Sequence, residues 1–216
     1  MAGQNGGRVL LFDVDGTLLD SNGVWLEIDA DFSRERGLAH SEAYSRTVAH
    51  MTPTEAAVYT KDLFGLPESP EEIRLIWNRM AYDYYARRVP LKLGASAFLA
   101  RRNAEGARMA VLSSCDPDLC RAALSHHGVL SHFEAFFFTH ELGMNKRGPA
   151  IFLHAAAALG ARPSDCMVFE DSPVAAAAAA AAGMAVTGMR DAFFRAQEDD
   201  LAAAAVRVID DFTALP

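Results

Sequence analysis

Three short apolar runs in this chain end on polar residues, and a helix-start signal follows soon after two of them. Residues 8–14 carry Asp13 and Asp15 at their end, just ahead of Gly16. Arg108–Ser113 runs into Ser113 and Ser114, ahead of Asp116 and Pro117. Asp165–Glu170 runs into Glu170 and Asp171, ahead of Ser172 and Pro173. Apolar runs of this length, bounded by turn residues and without alternation, read as strands buried on both faces. Further short strands are expected at 135–139, 185–188 and 206–209. Helices are expected over about 95–105, after Asp116-Pro117, from Gly148-Pro149 and from Ser172-Pro173. Strand–helix alternation of this kind predicts an α/β fold with a Rossmann-like, doubly wound parallel sheet. The run of alanines at 175–182 fits a thin helix lying close to that sheet, since alanine is the strongest helix former.

The stretch between the first two runs has a different character. From about Ser21 to Pro90 the pattern is helical and gives no strand signal. Pro53 stands at a first-turn position with Thr52 as its cap, and Ala56, Tyr59, Leu63 and Phe64 recur at helical spacing. Ser69, Pro70, Glu71 and Glu72 form a second start: a capping serine, a first-turn proline and acids facing the helix dipole. A Trp77, Met80, Tyr84 stripe follows and reads as helix-packing core. The expected organisation is a core of 1–17 plus 93–216, with an α-helical cap inserted at 18–92. Asp20 and Ser21 read as capping residues at the entry to the cap.

Hydrophobic residues make up 51% of the chain and charged residues 22%, enough for a sizeable core. A formal charge of −8 with no basic stripe argues against nucleic-acid partners. Cys115, Cys120 and Cys166 cannot all pair and show no metal spacing, so they read as reduced thiols in a cytoplasmic protein. Met1–Gly7 lacks the apolar centre of a signal peptide, and the apolar run at 174–186 is too short to span a bilayer, so no membrane association is expected. A monomer or weak dimer is expected. None of His126, His127, His132, His140 and His154 stands at metal-ligand spacing.

In open parallel sheets ligands bind beyond the carboxyl ends of the strands. The topology would therefore gather Asp13, Asp15, Ser113, Ser114, Glu170 and Asp171, together with Lys146 at the start of a helix on the same rim. These residues carry a resemblance. Phe12–Ser21 matches the Asp-x-Asp-Gly-Thr motif of the haloacid dehalogenase superfamily, and Ala110–Ser114 matches its second motif. Lys146–Phe152 is similar to its Lys-Pro-x-Pro-x-x-Phe motif, with Arg147 in place of the first proline. Val168–Ser172 matches the fourth. All four occur in order, and the chain resembles the branch with a helical cap after the first strand, which includes β-phosphoglucomutase-like and phosphoglycolate phosphatase-like hydrolases.

The resemblance implies a Mg²⁺-dependent phosphatase acting on a small phosphorylated metabolite. Asp13 would be the nucleophile, forming an aspartyl-phosphate, and Asp15 the general acid and then base. Mg²⁺ would be held by Asp13, the Asp15 carbonyl and Asp171, with Glu170 in or next to its ligand sphere. Lys146 and Ser113 would hold phosphate oxygens, helped by the backbone N–H groups of Asp15, Gly16 and Ser114. An Asp at position 15 favours phosphate esters over halides, whose departure needs no acid. His50, Met51 and Thr52 fall where this branch places a cap loop over the site. Two alternatives stand beside this reading. One is a phosphomutase, opposed by Trp25 and Pro53 at positions where the mutase carries a cap histidine and arginine. The other is a phospho-ligand-binding protein without activity, opposed by the presence of Asp13.

Overall fold

A computed structural model of the chain describes residues 9–39, 41, 44, 47, 48, 51 and 53–216. The expected cap residues His50 and Thr52 and the segment Met1–Gly7 lie outside the described residues. The chain divides into two compact units: the described residues up to Asn22 with Val89–Pro216, and Gly23–Arg88.

The first unit is built on six parallel strands: β1 (Val9–Phe12), β2 (Arg108–Ser113), β3 (Ala135–Phe138), β4 (Cys166–Glu170), β5 (Ala185–Met189) and β6 (Arg207–Ile209). Their order is β3-β2-β1-β4-β5-β6. Successive connections run outward from β1 on one side and then cross to its other side. The direction therefore reverses at β1 and β4, the place where such sheets bind ligands. Helices cover both faces, which is why the strands show no polar alternation.

On one face Phe12, Phe98, Phe169 and Phe212 form an aromatic layer, with the Phe12 and Phe169 rings stacked at 4.5 Å. On the other, Val9, Leu11, Ala110, Leu112 and Val168 meet the helices Ala150–Ala158 and Pro173–Ala181. The second of these is the alanine helix. Ala175, Ala176, Ala178 and Ala179 are buried, so small side chains let it approach β4 and β5 closely. Ser172 caps it and Pro173 opens it, as the sequence suggests.

Strand ends differ from expectation by one to two residues, for local reasons. β1 stops at Phe12 because the chain turns sharply: the Val14 carbonyl accepts the N–H groups of Leu18 and Leu19 at 2.9 Å and of Thr17 at 3.3 Å. Thr139 leaves β3 to open a one-turn helix that closes at Gly143. A helix over Glu198–Ala204 has no counterpart in the sequence reading, because acids at its start and alanines after it show no apolar stripe.

The second unit contains the helices Val24–Glu35, Pro53–Phe64 and Pro70–Arg87. Ser69 and Glu72 form a reciprocal capping box. Trp77 and Tyr84 are buried in this unit, Trp77 edge-on to Phe32 at 5.6 Å. The Tyr84 hydroxyl donates to Asp31 at 2.7 Å.

The candidate active site

Asp13, Asp15, Ser113, Ser114, Lys146, Glu170 and Asp171 line one cavity of about 660 Å³ at the carboxyl ends of β1, β2 and β4. Asn22, Cys115, Asn145, Arg147, Val174 and Phe194 also line it. The main ladder places the first carboxylate, since Asp13 follows β1 directly and its N–H donates to the Phe169 carbonyl at 3.0 Å.

Lys146 is the fixed cation of the floor. Its Nζ donates to Asp13 Oδ1 at 2.5 Å and to Glu170 Oε2 at 2.8 Å. Burial alone would lower the lysine pKa, but the charges of Asp13 and Glu170 outweigh it and hold the group protonated. Glu170 is engaged at both oxygens, since Oε1 accepts the Ser172 N–H at 3.0 Å. Ligand atoms of Asp13, Glu170 and Asp171 lie within 4.8 Å of one another. Burial raises the pKa of both Glu170 and Asp171; Lys146 opposes this, while the Asp13 charge adds to it at Glu170 and the charges of Glu170 and then Asp13 add to it at Asp171. Three buried carboxylates against one ammonium leave the cluster short of positive charge. Hard oxygen donors of this kind suit Mg²⁺.

Asp171 is held by groups that the sequence reading did not single out. Asn22 Nδ2 donates to its Oδ2 at 2.9 Å, and Thr17 Oγ1 donates to Oδ1 at 3.4 Å. Asn22 also hydrogen-bonds Asp191, whose carboxylate accepts from Lys92 Nζ at 2.7 Å. Lys92 in turn reaches Asp20 at 3.1 Å. Asp191 caps the short 3₁₀ turn that brings Phe194 to the cavity.

Asp15 is oriented by two neighbours: Ser21 Oγ donates to its Oδ1 at 2.5 Å, and the Cys115 thiol hydrogen-bonds it. Burial and the Asp15 charge push that thiol far above its ordinary pKa, so it stays protonated and donating. Ser21 is therefore no helix cap, contrary to expectation. The first helix of the other unit begins after Gly23, which has no side-chain cap. A serine before a helix reads as a cap in sequence; only the chain reversal at Val14 shows that it faces Asp15.

Gly16 also differs from expectation. Its N–H donates to the Leu19 carbonyl at 2.9 Å, so it does not join a phosphate cradle in this conformation. The residue serves close approach instead. Its φ is +74°, and a Cβ there would lie 2.1 Å from Asp171 Oδ2. Ser113 is 1% exposed; its Oγ accepts the Cys115 N–H at 3.1 Å and keeps its own proton to donate. Ser114, next along, is exposed at the cavity.

Residues 8–183 match the sequence model described as haloacid dehalogenase-like hydrolase, and the chain belongs to that family of hydrolases. It is 28% identical over 181 residues to a bifunctional riboflavin kinase/FMN phosphatase of Arabidopsis thaliana, covering 82% of this chain and 47% of that protein. It is 26% identical over 204 residues to a phosphoserine phosphatase of Thermus thermophilus, covering 77% of this chain and 81% of that one. The chain thus spans about half of the plant relative and most of the bacterial one. In fold it is similar to a putative β-phosphoglucomutase from Thermotoga maritima, with a TM-score of 0.81 at 19% identity over 94% of each chain.

Proposed function

We propose that this hydrolase is a Mg²⁺-dependent phosphatase that cleaves a small-molecule phosphomonoester through an aspartyl-phosphate on Asp13. The observation that carries the reading is the juxtaposition of Asp13, Lys146, Glu170 and Asp171 in one buried cluster, with Asp15 held beside it by Ser21. The phosphatase names of the sequence relatives support the reaction class.

Asp13, Asp171 and the Asp15 carbonyl would hold Mg²⁺, with Glu170 against them. When bound, the ion would neutralise charge on the phosphoryl group, so that the Asp13 carboxylate could approach phosphorus. An Asp13 oxygen attacks phosphorus in line while the bond to the leaving oxygen breaks. Asp15 gives its proton to that oxygen. In the second half Asp15 takes a proton from water, the water oxygen attacks phosphorus, and the bond to Asp13 breaks to release inorganic phosphate. Ser113 and Lys146 hold the equatorial oxygens. Ser21 and Cys115 keep the Asp15 carboxyl from rotating between the two halves.

Three buried, unpaired cysteines support a reducing, cytoplasmic setting. Among the described residues no helix is long and apolar enough to cross a membrane.

The test is phosphate release from a panel of phosphorylated metabolites, with Mg²⁺ and with EDTA. Activity should vanish in EDTA and in Asp13→Asn. Full activity in Asp13→Asn, or isomerisation of hexose phosphates without phosphate release, would sink the reading.

A further inference from the structure

Arg147 stands where the motif carries proline, and the mechanism above gives it no task. Among the described residues, two with cationic side chains line the cavity, Lys146 and Arg147. Lys146 is half-buried, is paired with Asp13 and Glu170, and serves the transferred phosphoryl group. Arg147 is exposed, and its guanidinium makes no hydrogen bond, ion pair or ring contact with any described residue. Other arginines in this acidic chain grip a carboxylate three positions away: Arg74 with Glu71, Arg102 with Glu105, Arg162 with Asp165. Arg147 has no such partner. Its backbone N–H donates to Asn145 Oδ1 at 2.9 Å and ties down the turn that carries it. Asn145 itself lines the cavity.

We propose that Arg147 determines substrate specificity by binding a second anionic group, so that the preferred substrates are phosphomonoesters carrying a further phosphate or carboxylate. This rests on the phosphatase reading of the same site. A cavity of about 660 Å³ has room for more than the transferred phosphoryl group, and Arg147 is among the residues that line it. A guanidinium matches either anion with two parallel N–H donors, which a lysine cannot do. The wall otherwise offers the remote end of the substrate neutral groups: Asn145, Ser114, Val174 and Phe194. Among the described residues, Arg147 is the cationic side chain on that wall without an ion pair, and a second anion would pair with it there. A proline at this position would leave that anion no such partner.

The test measures binding apart from turnover. Asp13→Asn protein with Mg²⁺ is titrated calorimetrically with two pairs of ligands: glucose 1,6-bisphosphate against glucose 6-phosphate, and phosphoglycolate against ethyl phosphate. The first pair reads a second phosphate and the second a carboxylate. The expected result is at least tenfold tighter binding of the doubly anionic member in one pair, the size of one charge-assisted contact, about tenfold or more. Adding Arg147→Gln should bring the two members of that pair to within about twofold, and Arg147→Lys should keep part of the preference. Equal affinity within each pair in the Arg147 protein, or Arg147→Gln weakening both members alike, overturns the proposal. Phosphate release by the protein with Asp13 intact tests the phosphatase reading separately, because a binding preference does not depend on turnover.

Discussion

Replacing Gly16 by alanine should damage stability and metal binding together, and the coordinates set the size of the effect. Two penalties add. The first is the positive φ of 74°, which costs an L-residue about 1–2 kcal/mol. The second is a collision: the new Cβ would stand 2.1 Å from Asp171 Oδ2 and 2.3 Å from Asn22 Nδ2, where real contacts begin near 3.0 Å. Asp171 and Asn22 must separate by about an ångström, which breaks the 2.9 Å bond between them. A hydrogen bond to a charged group is worth about 1.5–3 kcal/mol. Together these give about 2.5–5 kcal/mol, and for a chain of this size about 5–20 °C in Tm. Gly128 supplies the control. Its φ is +68° and nothing lies within 4 Å of a Cβ built there, so Gly128→Ala should lose about 1–2 kcal/mol and no more. Differential scanning calorimetry in EDTA measures both. Repeating it with Mg²⁺ should raise the Tm of the Gly128→Ala protein by mass action and leave Gly16→Ala almost unchanged. Equal Tm losses for the two variants, or a normal Mg²⁺ response in Gly16→Ala, would refute the close approach of Gly16 to Asp171 and the proposed role of Asp171 as a Mg²⁺ ligand.

Asn22→Ala removes one donor from Asp171, and loss of such an orienting partner should weaken Mg²⁺ binding by about 10–100-fold, read by calorimetry without substrate. Lys92→Met leaves Asp191, 5% exposed, without its cation and should cost about 2–4 kcal/mol in urea unfolding; adding Asp191→Asn should recover at least half of that. Ser21→Ala should reduce kcat by about tenfold while KM holds within twofold, because Ser21 touches Asp15 and not the cavity; an unchanged kcat would remove it from the mechanism. Asp29 has its carboxyl pushed up to about 6 by burial, so its contribution to stability is complete below about pH 4 and lost as pH rises through about 6. Asp29→Asn should therefore stabilise the protein by about 1–2 kcal/mol at pH 7.5, after allowance for partial exposure, and make no difference at pH 4.

The sheet was legible because its strands are buried on both faces, so their apolar runs stand out from polar surroundings. The floor of the cavity was legible for a related reason. Asp13, Ser113 and Glu170 sit at or just past strand ends, and parallel topology brings such ends together whatever lies between them in sequence. The groups that orient the floor were hidden. Ser21 and Asn22 have the composition of a helix entry, and nothing local distinguishes a serine that caps from one that donates to Asp15. Cys115 looks like an ordinary buried thiol until the turn after β2 brings it against Asp15. The expected N–H of Gly16 was misassigned because the three-residue reversal to Leu19 consumes it, a hydrogen bond that no motif records. Phe194 reaches the cavity on a 3₁₀ turn pinned by Asp191 and Lys92, residues far apart in the chain.

The segments on either side of the 23–88 excursion pair with each other before the excursion begins. The Asp20 N–H donates to the Pro90 carbonyl at 3.0 Å, the Lys92 N–H donates to the Leu18 carbonyl at 2.8 Å, and Leu19 bridges Leu91. The sheet unit thus presents a stitched seam with two adjacent free ends, and the chain between them is closed as a loop whatever its length. Closing a longer loop costs only about 0.6 kcal/mol per doubling. The excursion is therefore a replaceable cassette. Helical segments of very different size should be graftable onto the same seam without disturbing the strand ends that carry Asp13 and Asp171, because the seam closes within the sheet unit itself.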